Sequence, residues 1–253
     1  MINILLTDAG KRFNRDWIFR HINYIFQQGK SYAITGPNGS GKSTLLQTIA
    51  GAITPSEGKV EYRILNNEQG ILNEEGISNL ELGIGGEDKT SKNQPVTGNR
   101  QLTTHHSLLT THHSPLDPDQ IYNHIAIVAP YLEVIEEMTA TEFLQFHSSF
   151  KPLIPSISIK EILEIVGLKQ AVNKQIRFFS SGMKQRIKLA QAIFSNVPVL
   201  LLDEPCTNLD TSGYNLYHQL INDYCKNKLI IVSSNDVNEY DFCEEKISIT
   251  EYK

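Results

Sequence analysis

The stretch GPNGSGKST, beginning at Gly36, spaces Gly36, Gly41, Lys42 and Ser43 as G-x-x-x-x-G-K-[ST]. Glycines at such positions let backbone N–H groups curl around phosphate oxygens with no Cβ in the way. A helix starting there adds the positive potential of its N-terminal end. Lys42 would reach the outer phosphates of a nucleotide, and the Ser43 hydroxyl would face a Mg²⁺ ion. Pro37, Asn38, Gly39 and Ser40 complete the loop, and Thr44 follows it. A second stretch, VLLLDEP, ends an apolar run in Asp203 and Glu204. One carboxylate there can hold Mg²⁺ through water while the other orients or deprotonates an attacking water. Taken alone, the pair would read as two charges closing a strand. A third, FFSSGMKQR, puts Ser180 and Gly182 at a helix start, a potential anion site that alone would be only an N-cap.

Positioning these residues calls for strands alternating with helices. Tyr32 to Thr35 is a short apolar run leading into the glycine loop, and Ser43 to Ala50 has helical character. Ile18 to Phe26 alternates like a strand, and Lys59 to Tyr62 reads as another, with Val60 and Tyr62 on one face. Ile125 to Val128, Val199 to Leu202 and Leu229 to Ser233 are continuous apolar runs of the kind found in central parallel strands. Thr139 with Glu142, and Ser158 with Glu161, have capping-box spacing, the first ahead of a helix through His147. Met183, Ile187, Ala190 and Phe194 mark one helix face, and Tyr214 to Cys225 predicts a further helix. The alternation implies an α/β fold with a mainly parallel sheet.

The chain has 253 residues, 40% hydrophobic and 20% charged, with a formal charge of −5. That balance is ordinary for a soluble protein and provides no general basic footprint, so no nucleic acid partner is expected. No apolar run approaches the roughly 18 residues of a membrane span, and the opening MINILLTDAGKRF lacks the order of a signal peptide. Cys206, Cys225 and Cys243 have no motif spacing and suit a reducing compartment. Between Arg63 and Ile121 there is no aromatic Phe, Trp or Tyr, while ILNNEQG and ILNEEG form an imperfect repeat and LTTHHS occurs twice. An insertion at about residues 64–118, disordered or a loose hairpin, is expected there. The repeat carries His105, His106, His112 and His113. Equivalent histidines stand roughly 10.5 Å apart along a helix and on opposite faces of a strand, which disfavours a shared metal.

Together the motifs resemble those of the ATP-binding cassette (ABC) ATPases. GPNGSGKST corresponds to Walker A, VLLLDEP to Walker B, FSSGM to the signature usually written LSGGQ, and TNLD, ending at Asp210, to the D-loop. Phe13 lies where the family places an aromatic ring that stacks on adenine; alone it would be a strand-end core residue. The resemblance covers nearly the whole chain outside the insertion. It implies a single P-loop NTPase domain over 1–253 with an N-terminal antiparallel β part and a small helical subdomain at 131–180. It also implies ATP and Mg²⁺ as ligands, with Lys42 on phosphate, Ser43 and Asp203 serving the metal and Glu204 as catalytic carboxylate. Ser180 and Gly182 would meet the γ-phosphate across a head-to-tail pair of ATPase subunits, and Asp210 would couple the two sites. A separate transmembrane permease subunit and a place on the cytoplasmic face of the membrane follow from the same resemblance. A weaker similarity is to the compact ATPases of haem export and cytochrome c maturation.

Three positions depart from the family pattern. Pro130 stands where the Q-loop glutamine is expected and offers no amide, leaving Glu133 or Glu136 as stand-ins near the metal or as an exposed acidic face. Asn235 aligns with the switch histidine; it can donate a hydrogen bond to a γ-phosphate but cannot become a cation. Ser181 and Met183 replace a glycine and the glutamine of the signature. Slow ATP turnover is the expectation, with a nucleotide-gated protein of little hydrolysis, or a cassette ATPase outside transport, as the alternatives.

Overall fold

The computed structural model describes residues 1–66 and 112–253. The chain divides into two units, one of Met1–Leu65 with His113–Lys253 and one of Asn66–His112. The first unit opens with two long antiparallel strands, β1 (Ile2–Phe13) and β2 (Asp16–Gln27). β4 (Glu57–Asn66) pairs antiparallel with β1, and β5 (His112–Pro115) completes the order β2-β1-β4-β5. The second sheet holds β3 (Ser31–Thr35), β6 (Ile125–Val128), β7 (Val199–Asp203), β8 (Leu229–Ser233) and β9 (Glu245–Ser248) in the order β6-β7-β8-β3-β9. All the pairings recorded within it are parallel.

Every residue of β7 and β8 is buried, as a strand covered on both faces requires. Side-chain alternation then sorts these strands between two cores. Leu200, Leu202, Ile230 and Val232 join the helices α2 (Ala140–Phe150), α3 (Ile159–Ile165), α4 (Ser181–Ile193) and α5 (Thr211–Tyr224). Val199, Leu201, Leu229 and Ile231 pack with α1 (Lys42–Ile49) and the antiparallel strands. Thr139 and Ser158 both close full capping boxes, with Glu142 and Glu161, at the starts of α2 and α3. Among the described residues, no helix is long and apolar enough to cross a membrane. The three cysteines are free and buried, and burial pushes the Cys225 thiol up to about 11 and Cys243 to about 12.

Both flanks of the stretch expected as an insertion are strand: β4 runs on to Asn66, and β5 takes up His112–Pro115. Pairing with β1, Asn3 opposite Arg63 and Ile2 opposite Ile64, carries β4 beyond Tyr62. The Tyr62 phenol is buried against Ile49, donating to that carbonyl at 2.7 Å, and the Tyr62 carbonyl accepts from Leu116 N at 2.9 Å. Residues 67–111, with ILNEEG and most of the histidine repeat, lie outside the described residues.

Candidate functional site

Parallel pairing of β3, β7 and β8 brings their carboxyl ends to one edge of the sheet, where α/β folds bind ligands. The glycine loop Gly36–Gly41 leaves β3 there and runs into α1. Gly41 has φ 103°, and a Cβ on it would sit 2.2 Å from Ile18 Cγ2, so only glycine fits. α1 starts without a side-chain cap, which leaves its first N–H groups to the loop. Lys42 is 5% exposed, and its ammonium donates to the carbonyls of Gly36 at 2.9 Å and Pro37 at 3.2 Å. The buried Ser40 hydroxyl has no hydrogen-bond partner among the described residues. A buried polar atom left in that state costs about 1–3 kcal/mol, and a phosphate oxygen in the loop would satisfy it.

Asp203 closes β7, 2% exposed, beside Ser233 at the end of β8. Ser233 Oγ donates to Asp203 Oδ1 at 2.7 Å and leaves the other carboxylate oxygen for a cation. With the Ser43 hydroxyl it offers hard oxygen donors, which suit Mg²⁺. Glu204 follows in the left-handed region, φ 44°, a conformation that costs a non-glycine residue roughly 1–3 kcal/mol. Its N–H donates to Ser233 O at 2.9 Å, and its carbonyl accepts from Thr207 Oγ1 at 2.9 Å. Asn235, just past β8, reaches the loop: its Nδ2 donates to Asn38 Oδ1 at 3.1 Å.

The structure thus gathers Gly36 through Thr44, Asp203, Glu204 and Asn235 at one edge. Ser180, Gly182 and Asp210 form a separate group with Gly167, Arg186 and Asn208 around a cavity of about 380 Å³. Ser180 caps α4, accepting from Met183 N at 3.3 Å. Asp210 caps α5, and bonds from Ser212 Oγ and Gly213 N hold its carboxyl below the usual range. Phe13 ends β1 and is 48% exposed, with Lys11 Nζ 5.2 Å from its ring centre, so it is not a core residue. Glu136 is taken up by an ion pair with Lys184 of α4, and Glu133 is exposed. Pro130 is likewise exposed after β6, and its carbonyl accepts from Lys188 Nζ at 3.4 Å.

Two residues at this edge escaped the reading of the motifs. Ser233 holds Asp203, and the hydroxyl ending an apolar strand was its only signal. Tyr131 follows Pro130 and is half-exposed; partial desolvation raises its phenol, Gln47 opposes the shift, and the Asp203 carboxylate adds to it. No signal in the motifs pointed to that ring.

Comparison with known proteins bears on what such an edge does. A family profile described as ABC transporter matches residues 19–207. The bacitracin transport ATP-binding protein BcrA of Bacillus licheniformis is 26% identical over 97% of this chain and 66% of its own length. The cytochrome c biogenesis ATP-binding export protein CcmA of Rhizobium meliloti is 26% identical over 87% of this chain and 84% of its own. Against several such relatives the chain spans less than two thirds of their length, 63% and 52% for two from Bacillus subtilis. Among solved structures, a putative ABC transporter ATP-binding protein of Pyrococcus furiosus superposes with a TM-score of 0.67 at 16% identity, covering 99% of both chains. A bacterial ABC transporter cassette solved as a dimer has a TM-score of 0.65 at 21% identity, covering 98% of this chain and 95% of its own.

Proposed function

Because this chain belongs to the ABC transporter family, we propose that it is the ATP-binding and ATP-hydrolysing subunit of such a transporter. The observation that carries this is the meeting of the uncapped glycine loop, Asp203, Glu204 and Asn235 at one sheet edge.

Lys42 would exchange its two loop carbonyls for the outer phosphates of ATP, and the Ser40 hydroxyl would gain a phosphate partner. Ser43 and Asp203 would hold Mg²⁺, with Ser233 fixing the carboxylate's rotation. The metal, when bound, neutralises charge on the transferred phosphoryl group. Glu204 would orient the attacking water and accept its proton. Asn235 would leave Asn38 and donate to the γ-phosphate, and Phe13, exposed at its strand end, would stack on adenine. With no amide at Pro130 and no cation at Asn235, turnover would be slow.

Ser180 and Asp210 are exposed, and with Gly182 they line a cavity to which no residue of their own chain's loop contributes. They would complete the site of a second ATPase subunit, identical or not. A separate permease would supply the membrane spans, with this chain on its cytoplasmic face. Purified with that permease, the protein should release phosphate from ATP. Binding without release would favour instead a nucleotide-gated role, which the residues at Pro130 and Asn235 motivate.

A further inference from the structure

The peptide that follows Glu204 is gripped from two sides. Pro205 O accepts from Gln185 Nε2 of α4 at 2.6 Å, and Cys206 N donates to Glu239 Oε1 at 2.7 Å. Both gripping side chains are almost wholly buried, at 4% exposed each. A buried glutamate needs a reason in the fold. Glu239 sits in the short 3-10 turn Val237–Glu239, which follows Asn235, and its backbone carbonyl is pinned by the Tyr217 hydroxyl at 2.9 Å. Gln185 sits one turn into the helix that Ser180 caps. The Pro205–Cys206 peptide therefore joins three segments: the strand end carrying Glu204, the start of α4 and the turn beyond Asn235.

Glu204 needs such a grip. A residue before proline is biased to extended backbone, yet Glu204 has φ 44°. Its neighbours must hold it against local preference. We propose that Gln185 and Glu239 are positioning residues for hydrolysis: by clamping the Pro205–Cys206 peptide they aim Glu204, and they tie its aim to α4 and to the segment bearing Asn235. A displacement of the α4 start would reach the Glu204 backbone through a buried amide rather than through solvent-exposed contacts. The proposal rests on the hydrolytic reading of Glu204.

The test uses the full chain, purified with its permease, and three variants, Gln185→Met, Glu239→Met and Glu239→Gln, with ATP titration and phosphate release measured on each. Methionine keeps the volume and removes the hydrogen bond. Both methionine variants should bind ATP as the parent does while kcat falls on the order of 10- to 100-fold, the scale of a misplaced reacting group. Glu239→Gln can still accept from Cys206 N through its amide oxygen, so it should recover most of the rate. Should a methionine variant fail to fold, Gln185→Asn keeps the amide but leaves it a methylene short of Pro205, and the same loss of kcat is expected. Parental kcat in folded variants that bind ATP would remove the clamp and leave the hydrolytic reading standing. A parent chain that releases no phosphate even with its permease present would remove both.

Discussion

The phosphate loop and the signature region are built from similar residues and do opposite things with them. Each is a glycine- and serine-rich turn into a helix. At the first, α1 begins without a side-chain cap, Lys42 is buried and the Ser40 hydroxyl lacks a partner among the described residues, so the chain holds donors ready for something it does not itself provide. At the second, Ser180 and Asp210 commit their oxygens to capping α4 and α5. A helix start with free N–H groups is an anion site in its own right; one already capped must give up a bond to become one. The first region should bind nucleotide within a single chain, and the second should matter only when another subunit brings phosphate to it.

Lys42→Ala tests the first half of that contrast most severely. Losing a buried, hydrogen-bonded charge should weaken ATP binding on the order of 100-fold, read by nucleotide titration. A change of only a few fold would mean that the loop's backbone does most of the binding. Gly41→Ala should destabilise the fold by about 2–4 kcal/mol in denaturant melts, because φ 103° and the contact with Ile18 both oppose a Cβ. Ser180→Ala should cost about 1 kcal/mol as a lost cap and leave ATP affinity of the lone chain untouched. Weaker binding by that variant in a chain that stays monomeric would break the comparison.

His147 offers a control away from both regions. Its Nε2 meets Ser195 Oγ at 2.8 Å and its Nδ1 meets Gln191 Nε2 at 3.0 Å, a pattern that suits the neutral ring. Burial, with Lys151 adding, lowers it from 6.5 to about 4. Between those values the unfolded chain binds the extra proton, so stability is full above about 6.5 and falls as pH drops towards 4. His147→Gln should flatten melting temperature across that window and leave nucleotide binding as it was.

Much of this was legible in the residues because the chemistry is local. A phosphate loop needs its glycines and lysine at set spacing, and a capping box needs its two residues three apart; β6 and β8 fall at the bounds read from their apolar runs. What was hidden depends on contacts distant in sequence or on irregular backbone. β1 carries shifts in register around Ala9 and a left-handed Asp8, which blur its alternation, and β9 buries one residue, Ile247. The Asn38–Asn235 contact spans 197 residues and the Gln185–Pro205 bond 20, and neither residue pair announces itself by type.

The central claim is that Glu204 performs chemistry while the loop performs binding. Glu204→Gln, compared with the parent chain for ATP affinity and phosphate release, separates the two directly. Affinity should be unchanged, and turnover should fall on the order of 100- to 10,000-fold, the usual worth of a general base. Turnover that survives the substitution, or affinity that is lost with it, would contradict the account.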